Sequence, residues 1–305
     1  FIFYRAVKIG LHYEFNRLNG WWYTFELNLA RKLVFSKWNE ALGGNLKVIV
    51  SGGAALQPRL ARTFWAAQIP VLEGYGLTET SPVIAVNNFE KDGVAFGTVG
   101  PVLKNTTVKI AGDHEILCKG PGVMLGYYKE PELTAAAIDA EGWFHTGDQG
   151  RIEPLGHLKI TGRKKEIFKT AFGKYISPEL IENKFKESHF IDTLMVVGEN
   201  EKYAAAIIVP DFTFLKSYCT LKDIPYGSES EVVNNPRIVK RFHKEIQKLN
   251  KSLGATEQIK SFELLDKEWS VESGEVTATL KLRRNYIHDK YNSQIAKLFN
   301  KDVSD

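Results

Sequence analysis

From Phe3 to about Leu42 the chain is aromatic, apolar and basic, without proline, and Gly20 interrupts it. That pattern predicts two helices, ended by Gly43-Gly44. The apolar run Lys47-Val48-Ile49-Val50 then predicts a short buried strand leading into Ser51-Gly52-Gly53-Ala54, followed by a helix from Pro58 to about Ala67. A second buried strand, Ile69 to Glu73, ends in Gly74-Tyr75-Gly76. Strand, glycine turn, helix, strand, glycine turn is the rhythm of a parallel α/β sheet, whose ligands gather at the carboxyl ends of its strands.

From about Gly93 the rhythm changes to short alternating strands between Gly and Asp turns, as in Thr107–Ile110, Glu115–Cys118 and His157–Ile160. This predicts an antiparallel, barrel-like region. After Gly162 comes the basic cluster Arg163-Lys164-Lys165, and helices alternate with strands again. Ser177 is placed to cap a helix whose first turn holds Pro178 and Glu179. Thr193–Val197 and Tyr203–Val209 flank a polar turn and predict a hairpin. The segment 223–235, with Pro225, Gly227 and several serines, reads as an exposed loop. Asn235-Pro236 opens a helix whose apolar positions Ile238, Phe242, Ile246, Leu249 and Leu253 form one buried stripe before Gly254 stops it. The expected organisation is therefore mixed α/β in three parts. Residues 1–92 are the end of a large parallel-sheet α/β domain, 93–162 a β-barrel-like subdomain, and 163–305 a small α+β domain.

Composition narrows the class. With 305 residues, 44% hydrophobic and 25% charged, the chain is globular and long enough for about two domains. The charge sum, 40 − 36 = +4, is too small to mark a dedicated nucleic-acid binder. No apolar run approaches the roughly 20 residues of a membrane-spanning helix. Cys118 and Cys219 form neither a disulfide framework nor a metal-ligand spacing, which fits a reducing cytoplasm and inert thiols. The start at Phe1-Ile2-Phe3, with methionine only at Met124 and Met195, suggests a piece of something longer.

The segment Tyr75-Gly76-Leu77-Thr78-Glu79-Thr80-Ser81 concentrates a phenol, hydroxyls and a carboxylate at the end of a buried strand. Such residues build a poor core. At the open end of a sheet they can stack on a base, meet a phosphate oxygen and hold Mg²⁺. Alone, this string has the composition of many surface turns. It is accompanied, in order, by Ser51-Gly52-Gly53-Ala54-Ala55 before it and by Gly142-Trp143-Phe144-His145-Thr146-Gly147-Asp148 and Gly162-Arg163-Lys164-Lys165-Glu166 after it. Together the four strings resemble the adenylate-forming (AMP-binding) superfamily of acyl-CoA synthetases, non-ribosomal adenylation domains and luciferases. The run Val50-Ser51-Gly52-Gly53-Ala54 after Phe35-Ser36-Lys37-Trp38 is most similar to long-chain fatty-acid CoA ligases. The resemblance covers about Arg31 to Tyr291, the later half of such an enzyme.

The resemblance implies that Gly53, Glu73, Gly74 and Tyr75 form the adenine pocket, with Tyr75 as the stacking ring. It gives Thr78 to the α-phosphate, Glu79 to Mg²⁺, Asp148 to both ribose hydroxyls and Arg163 to the ribose. Lys165 falls at the family's hinge, and Gly173, in Ala171-Phe172-Gly173-Lys174-Tyr175, on the loop that faces coenzyme A. Lys281, in Thr277-Ala278-Thr279-Leu280-Lys281, matches the lysine that bridges the substrate carboxylate and the phosphate. The superfamily often has Pro and Gly where this chain has Val276 and Leu280, a form nearer that of the long-chain ligases.

The implied activity is ATP- and Mg²⁺-dependent activation of a fatty carboxylate to acyl-AMP, then transfer to coenzyme A. The expected partners are these small molecules and no nucleic acid, and the parent is cytoplasmic or peripheral at a membrane. The family's early Ser/Thr/Gly-rich phosphate loop does not occur in this sequence, so this stretch alone is expected to be inactive. Two other readings stay open: another acyl- or aryl-CoA ligase of the superfamily, and a non-catalytic nucleotide-binding module.

Overall fold

The proline-free N-terminal stretch is helical. Helix α1 (Ile2–Gly10) is followed by α2 (Gly20–Ala30), which passes through a π turn at Arg31–Phe35 directly into α3 (Ser36–Ala41). The computed structural model describes residues 2–15 and 19–299, so positions 16–18 of the predicted helical stretch lie outside the described residues. The chain divides after Thr161 into two compact units.

In the first unit, β1 (Ile49–Ser51), α4 (Pro58–Ala66) and β2 (Val71–Tyr75) follow the anticipated order. The two strands are parallel, with Ile49 opposite Val71 and Ser51 opposite Glu73, so their carboxyl ends lie side by side. Strand β3 (Ala85–Val86) pairs antiparallel with the other edge of β2. Contrary to expectation, Val50 is 66% exposed. β1 is an edge strand, and its neighbour Ile49 takes the side packed on the helical core around Phe35 and Ile69.

The barrel-like region is a four-stranded sheet in the order β4 (Thr107–Ile110), β5 (Glu115–Lys119), β6 (Phe144–Ile152), β7 (Leu158–Arg163). It is antiparallel across β4–β5 and β5–β6, and α5 (Pro131–Ala137) lies in the β5–β6 connection. The extended segment 99–103 joins this sheet to the first. Val99 and Gly100 exchange backbone hydrogen bonds with Leu158, while Leu103 donates to Ile84 and Pro101 accepts from Val86. Ile84, Ala85, Ile116, Cys118, Phe144 and Leu158 close the core between them. Burial pushes the Cys118 thiol up to about 11, which keeps it protonated.

The second unit opens with the hairpin β8 (Phe168–Lys169) and β9 (Tyr175–Ile176), then α6 (Pro178–Phe185). Ser177 occupies the position before α6, but its hydroxyl makes no capping hydrogen bond to the helix, contrary to expectation. Strands β10 (Ile191–Val197) and β11 (Ala204–Pro210) form the predicted antiparallel hairpin. After α7 (Phe212–Leu221), the segment read as a loop contains a short helix, α8 (Glu229–Val233). Ser228 and Glu231 cap it reciprocally, and Val232 and Val233 bury its apolar side; five residues are too few to show a helical period.

Helix α9 (Pro236–Asn250) buries Ile238, Phe242, Ile246 and Leu249 as the stripe requires. It ends at Asn250, before Leu253 and Gly254, where the Asn250 amide pairs with both backbone groups of Ile259 at 2.8 and 3.0 Å. That contact opens β12 (Ile259–Leu264), which pairs in parallel with β11. β11 is thus the central strand and all seven of its residues are buried. Helices α10 (Arg284–Lys290) and α11 (Asn292–Leu298) complete the unit. Arg284 binds Glu182 with two nitrogens, each at 2.8 Å, and Glu166 at 2.9 Å.

Phe242 is fully buried against Phe190 in this core. Phe242→Ala should cost about 3–5 kcal/mol through lost contacts and a residual cavity, read as a lower urea midpoint with an unchanged slope.

Candidate functional site

In the first unit the parallel pair β1–β2 brings two glycine-bearing strings together at their carboxyl ends. Gly53, at φ +81°, turns the chain away after β1, and Gly74 and Tyr75 are the last residues of β2. Gly76 cannot be replaced without moving backbone, because a Cβ there would stand 1.7 Å from the Pro82 carbonyl oxygen. Thr78 and Glu79 occupy the 3₁₀ turn that follows. The Thr80 hydroxyl organises this turn by accepting from the Leu77 amide at 3.0 Å beside the Leu77 and Pro82 carbonyls. Thr80 is buried, which leaves Thr78 exposed and Glu79 half-buried.

Asp148 arrives from β6. The Tyr75 hydroxyl donates to its Oδ2 at 2.8 Å, joining residues 73 positions apart in the sequence. Burial and then the Asp148 charge push the Tyr75 phenol above its ordinary value, so it stays a donor at any working pH. The Glu79 carboxylate accepts from the Tyr127 hydroxyl at 3.0 Å, and the Glu79 carbonyl accepts from the Met124 amide at 2.8 Å. Together these residues form an aromatic ring, an acceptor-only carboxylate, an exposed hydroxyl and a second carboxylate around the ends of two parallel strands. That is a polar rim suited to a flat heterocycle bearing a diol and an anionic group.

Glu73 sits deeper, on β2. It is 8% exposed, and burial pushes its carboxyl up to about 7 against the stabilising hydrogen bond from the Leu56 amide.

The remaining candidates lie in the second unit. Arg163 is the last residue of β7, and Lys165 is exposed in the turn closed by the Glu166 and Ile167 amides on the Arg163 carbonyl. Gly173, at φ +74°, makes the turn of the β8–β9 hairpin, where its amide donates to Thr170 O at 2.8 Å. Lys281 is exposed in a tight loop between the bridged residues Val276 and Leu282. Thr277 N donates to Lys281 O, Leu280 N to Thr277 O, and Lys281 N to the Thr277 hydroxyl. Leu280 adopts φ +58°, a left-handed conformation that suits the glycine often found at this position in the superfamily the sequence resembles. Behind the loop, buried Glu275 accepts from Lys290 at 2.7 Å and Tyr291 at 3.0 Å. Burial alone would raise its pKa, but Lys290 and Ser273 hold it down at about 2.

Sequence reasoning missed Thr80, Tyr127 and Glu115, whose carboxylate accepts from the Gly147 amide next to Asp148 at 3.0 Å. Thr80 and Tyr127 stand in or near recognisable strings, but nothing in a linear pattern ties Tyr127 to Glu79. The trace of Glu115 was one carboxylate in the otherwise apolar run Glu115-Ile116-Leu117-Cys118.

Two family models match the chain, one described as AMP-binding enzyme over residues 15–128 and one as AMP-binding enzyme C-terminal domain over residues 166–303. The chain is 34% identical over 272 residues to the long-chain-fatty-acid–CoA ligase FadD15 of Mycobacterium bovis, covering 89% of this chain and 45% of that protein. It is 34% identical over 288 residues to long-chain-fatty-acid–CoA ligase 1 of Homo sapiens, covering 89% and 41%. The chain therefore spans less than half the length of these curated relatives. A solved A domain of carboxylic acid reductase from Segniliparus rugosus, in complex with AMP and a co-purified carboxylic acid, matches with a TM-score of 0.69 at 20% identity. That match covers 97% of this chain and 45% of the other, and it establishes the fold alone.

The Glu73 carboxyl yields a stability prediction. Its folded pKa of about 7 exceeds the model-peptide value of 4.5. The native chain therefore keeps a proton that the unfolded chain releases, and stability falls as pH rises between those values. Glu73→Gln keeps an acceptor for the Leu56 amide and removes the titration. It should stabilise the chain by up to about 3 kcal/mol at pH 8 and leave it unchanged at pH 4, read from urea unfolding at both pH values.

Proposed function

The chain belongs to the AMP-binding enzyme family, and from that premise we propose that its protein is a long-chain fatty-acid CoA ligase. The reaction proposed is ATP-dependent activation of a fatty carboxylate, followed by acyl transfer to coenzyme A. The observation that carries the nucleotide part is the meeting of Tyr75 and Asp148 at 2.8 Å beside the carboxyl ends of β1 and β2. The contact brings an aromatic ring and a carboxylate within one nucleoside's span, which supports the adenine and ribose roles that the resemblance gives them.

In this reading Tyr75 flanks the adenine, with Gly53, Glu73 and Gly74 shaping the pocket, while Asp148 accepts from the ribose hydroxyls and Arg163 reaches the ribose. Thr78 donates to the α-phosphate. Glu79 suits Mg²⁺, because that ion keeps much of its water and takes one or two carboxylates together with substrate phosphates. Among the described residues no group of three or more acidic, His or Cys side chains offers a metal a closed cage. When bound, Mg²⁺ offsets the charge on the phosphates.

A fatty carboxylate oxygen then bonds to the α-phosphorus as the bond to pyrophosphate breaks, and Lys281, a compact cation on a long stem, bridges both anions. In the second step the coenzyme A thiolate bonds to the acyl carbon and AMP leaves. The mixed anhydride supplies the leaving group that a carboxylate lacks. Gly173 borders the thiol's route, and Lys165 is the pivot between the two steps. The 34% identity to named long-chain ligases supports the fatty substrate.

Asp148→Ala should weaken AMP binding about tenfold or more by calorimetry, the loss of one charge-assisted contact; unchanged affinity would remove Asp148 from the site. In the full-length protein, Lys281→Ala should suppress adenylate formation about a hundredfold, of the order seen when one oxyanion donor is removed. Thioester formation from supplied acyl adenylate should be largely intact. Equal adenylation by both proteins would refute the role of Lys281.

A further inference from the structure

Asp148 owes its aim to an irregularity in β6. Along the β5–β6 ladder Glu115 pairs with Gln149 and Leu117 with His145. Four steps on β6 thus answer two on β5, and Thr146, Gly147 and Asp148 all face Ile116. A bulge of this kind bends a strand and redirects a side chain, at the cost of leaving ladder groups unpaired. Three backbone groups here have side-chain partners instead. The Thr146 hydroxyl donates to the Ile116 carbonyl at 2.7 Å and accepts from the Asp148 amide at 3.1 Å. The Gly147 amide, on a residue at φ +72°, donates to Glu115 Oε1 at 3.0 Å.

Glu115 is therefore unusual. It is 5% exposed, on a strand whose other buried residues are Ile116, Leu117 and Cys118. A carboxylate is costly at such a position unless its oxygens are used. Both are: Oε1 takes the Gly147 amide, and Oε2 lies 3.2 Å from His145 Nδ1. His145 Nε2 in turn faces Asp139 Oδ2 at 3.6 Å, while Asp139 Oδ1 accepts from the Glu141 and Trp143 amides at 3.0 and 2.9 Å. The whole 139–148 return is tied to one buried carboxylate.

We infer that Glu115 is a positioning residue for nucleotide binding: by holding the Gly147 amide it sets the bulge that presents Asp148 to the ribose diol. The inference rests on the ribose role proposed for Asp148. Glu115 itself touches no substrate, so its effect must pass through Asp148 and through the two hydroxyls that Asp148 accepts from.

The test titrates the full chain with AMP and with 2′,3′-dideoxy-AMP by calorimetry, across wild type, Glu115→Ala, Glu115→Gln, Asp148→Ala and the Glu115→Ala/Asp148→Ala double variant. Glu115→Ala should weaken AMP about tenfold, equivalent to ~1.4 kcal/mol, yet leave the dideoxy analogue, which has no hydroxyls to lose, within about twofold. Glu115→Gln keeps an amide oxygen for Gly147 and a nitrogen for His145 in its other tautomer, and should restore AMP binding. The double variant should bind no more weakly than Asp148→Ala. Equal losses for both nucleotides in Glu115→Ala would assign Glu115 to general stability and overturn the inference. So would wild-type AMP affinity in Glu115→Ala beside a tenfold loss in Asp148→Ala, which leaves the ribose reading standing. Wild-type affinity in Asp148→Ala would instead defeat the ribose reading itself, and the inference with it.

Discussion

Everything at the candidate site depends on a small core shared by two sheets. Ile84, Ala85, Ile116, Cys118, Phe144 and Leu158 are all essentially inaccessible, and they come from β3, β5, β6, β7 and the turn before β3. Hydrophobic burial is non-directional and would tolerate many placements of one sheet on the other. The extended segment 99–103 removes that freedom, because its backbone groups pair with Leu158 on one side and with Ile84 and Val86 on the other. With both constraints in place, the end of β2 must approach the middle of β6. The contact between Tyr75 and Asp148 is their consequence.

The same economy appears in the polar groups buried around that core. Asn87, 2% exposed, donates to the Thr98 carbonyl at 2.9 Å and accepts from the Ala95 amide at 3.3 Å, and Thr98 meets His157 at 3.3 Å. The two Asn87 contacts satisfy backbone groups that the irregular chain leaves without ladder partners, as Glu115 and Thr146 do at the bulge. In the second unit Arg284 plays a comparable part. Its fork holds Glu182, which also accepts from the Val196 amide at 2.9 Å, so α6, β10 and α10 share one charge cluster. Breaking such a cluster at one member leaves a buried charge behind, whereas apolar replacement of all its members need not destabilise.

The departures from expectation have a common cause. Helix α8 was hidden because capping and burial, rather than period, define a five-residue helix. Val50 looked like a core residue because an apolar run does not say which face of a strand is covered. Ser177 has the residue type and extended backbone of a cap but makes no cap bond, since that bond depends on side-chain direction. Conversely, the α9 stripe and the β10–β11 hairpin were legible because both rest on local periodicity that tertiary contacts only reinforce.

By itself the sequence determined the types of the longer, periodic elements, the order of the four strings and the chemistry available in them, since each follows from residues adjacent in the chain. Through the family resemblance it gathered Tyr75, Thr78, Glu79 and Asp148 around one nucleotide, without naming any contact between them. Only the tertiary structure decided that Tyr75 reaches Asp148, that Tyr127 reaches Glu79, and that Glu115 accepts from the Gly147 amide beside Asp148. The physical reason is that periodicity and propensity act over a few residues. A hydrogen bond between positions 73 apart exists only after two sheets have packed and one strand has lost its register.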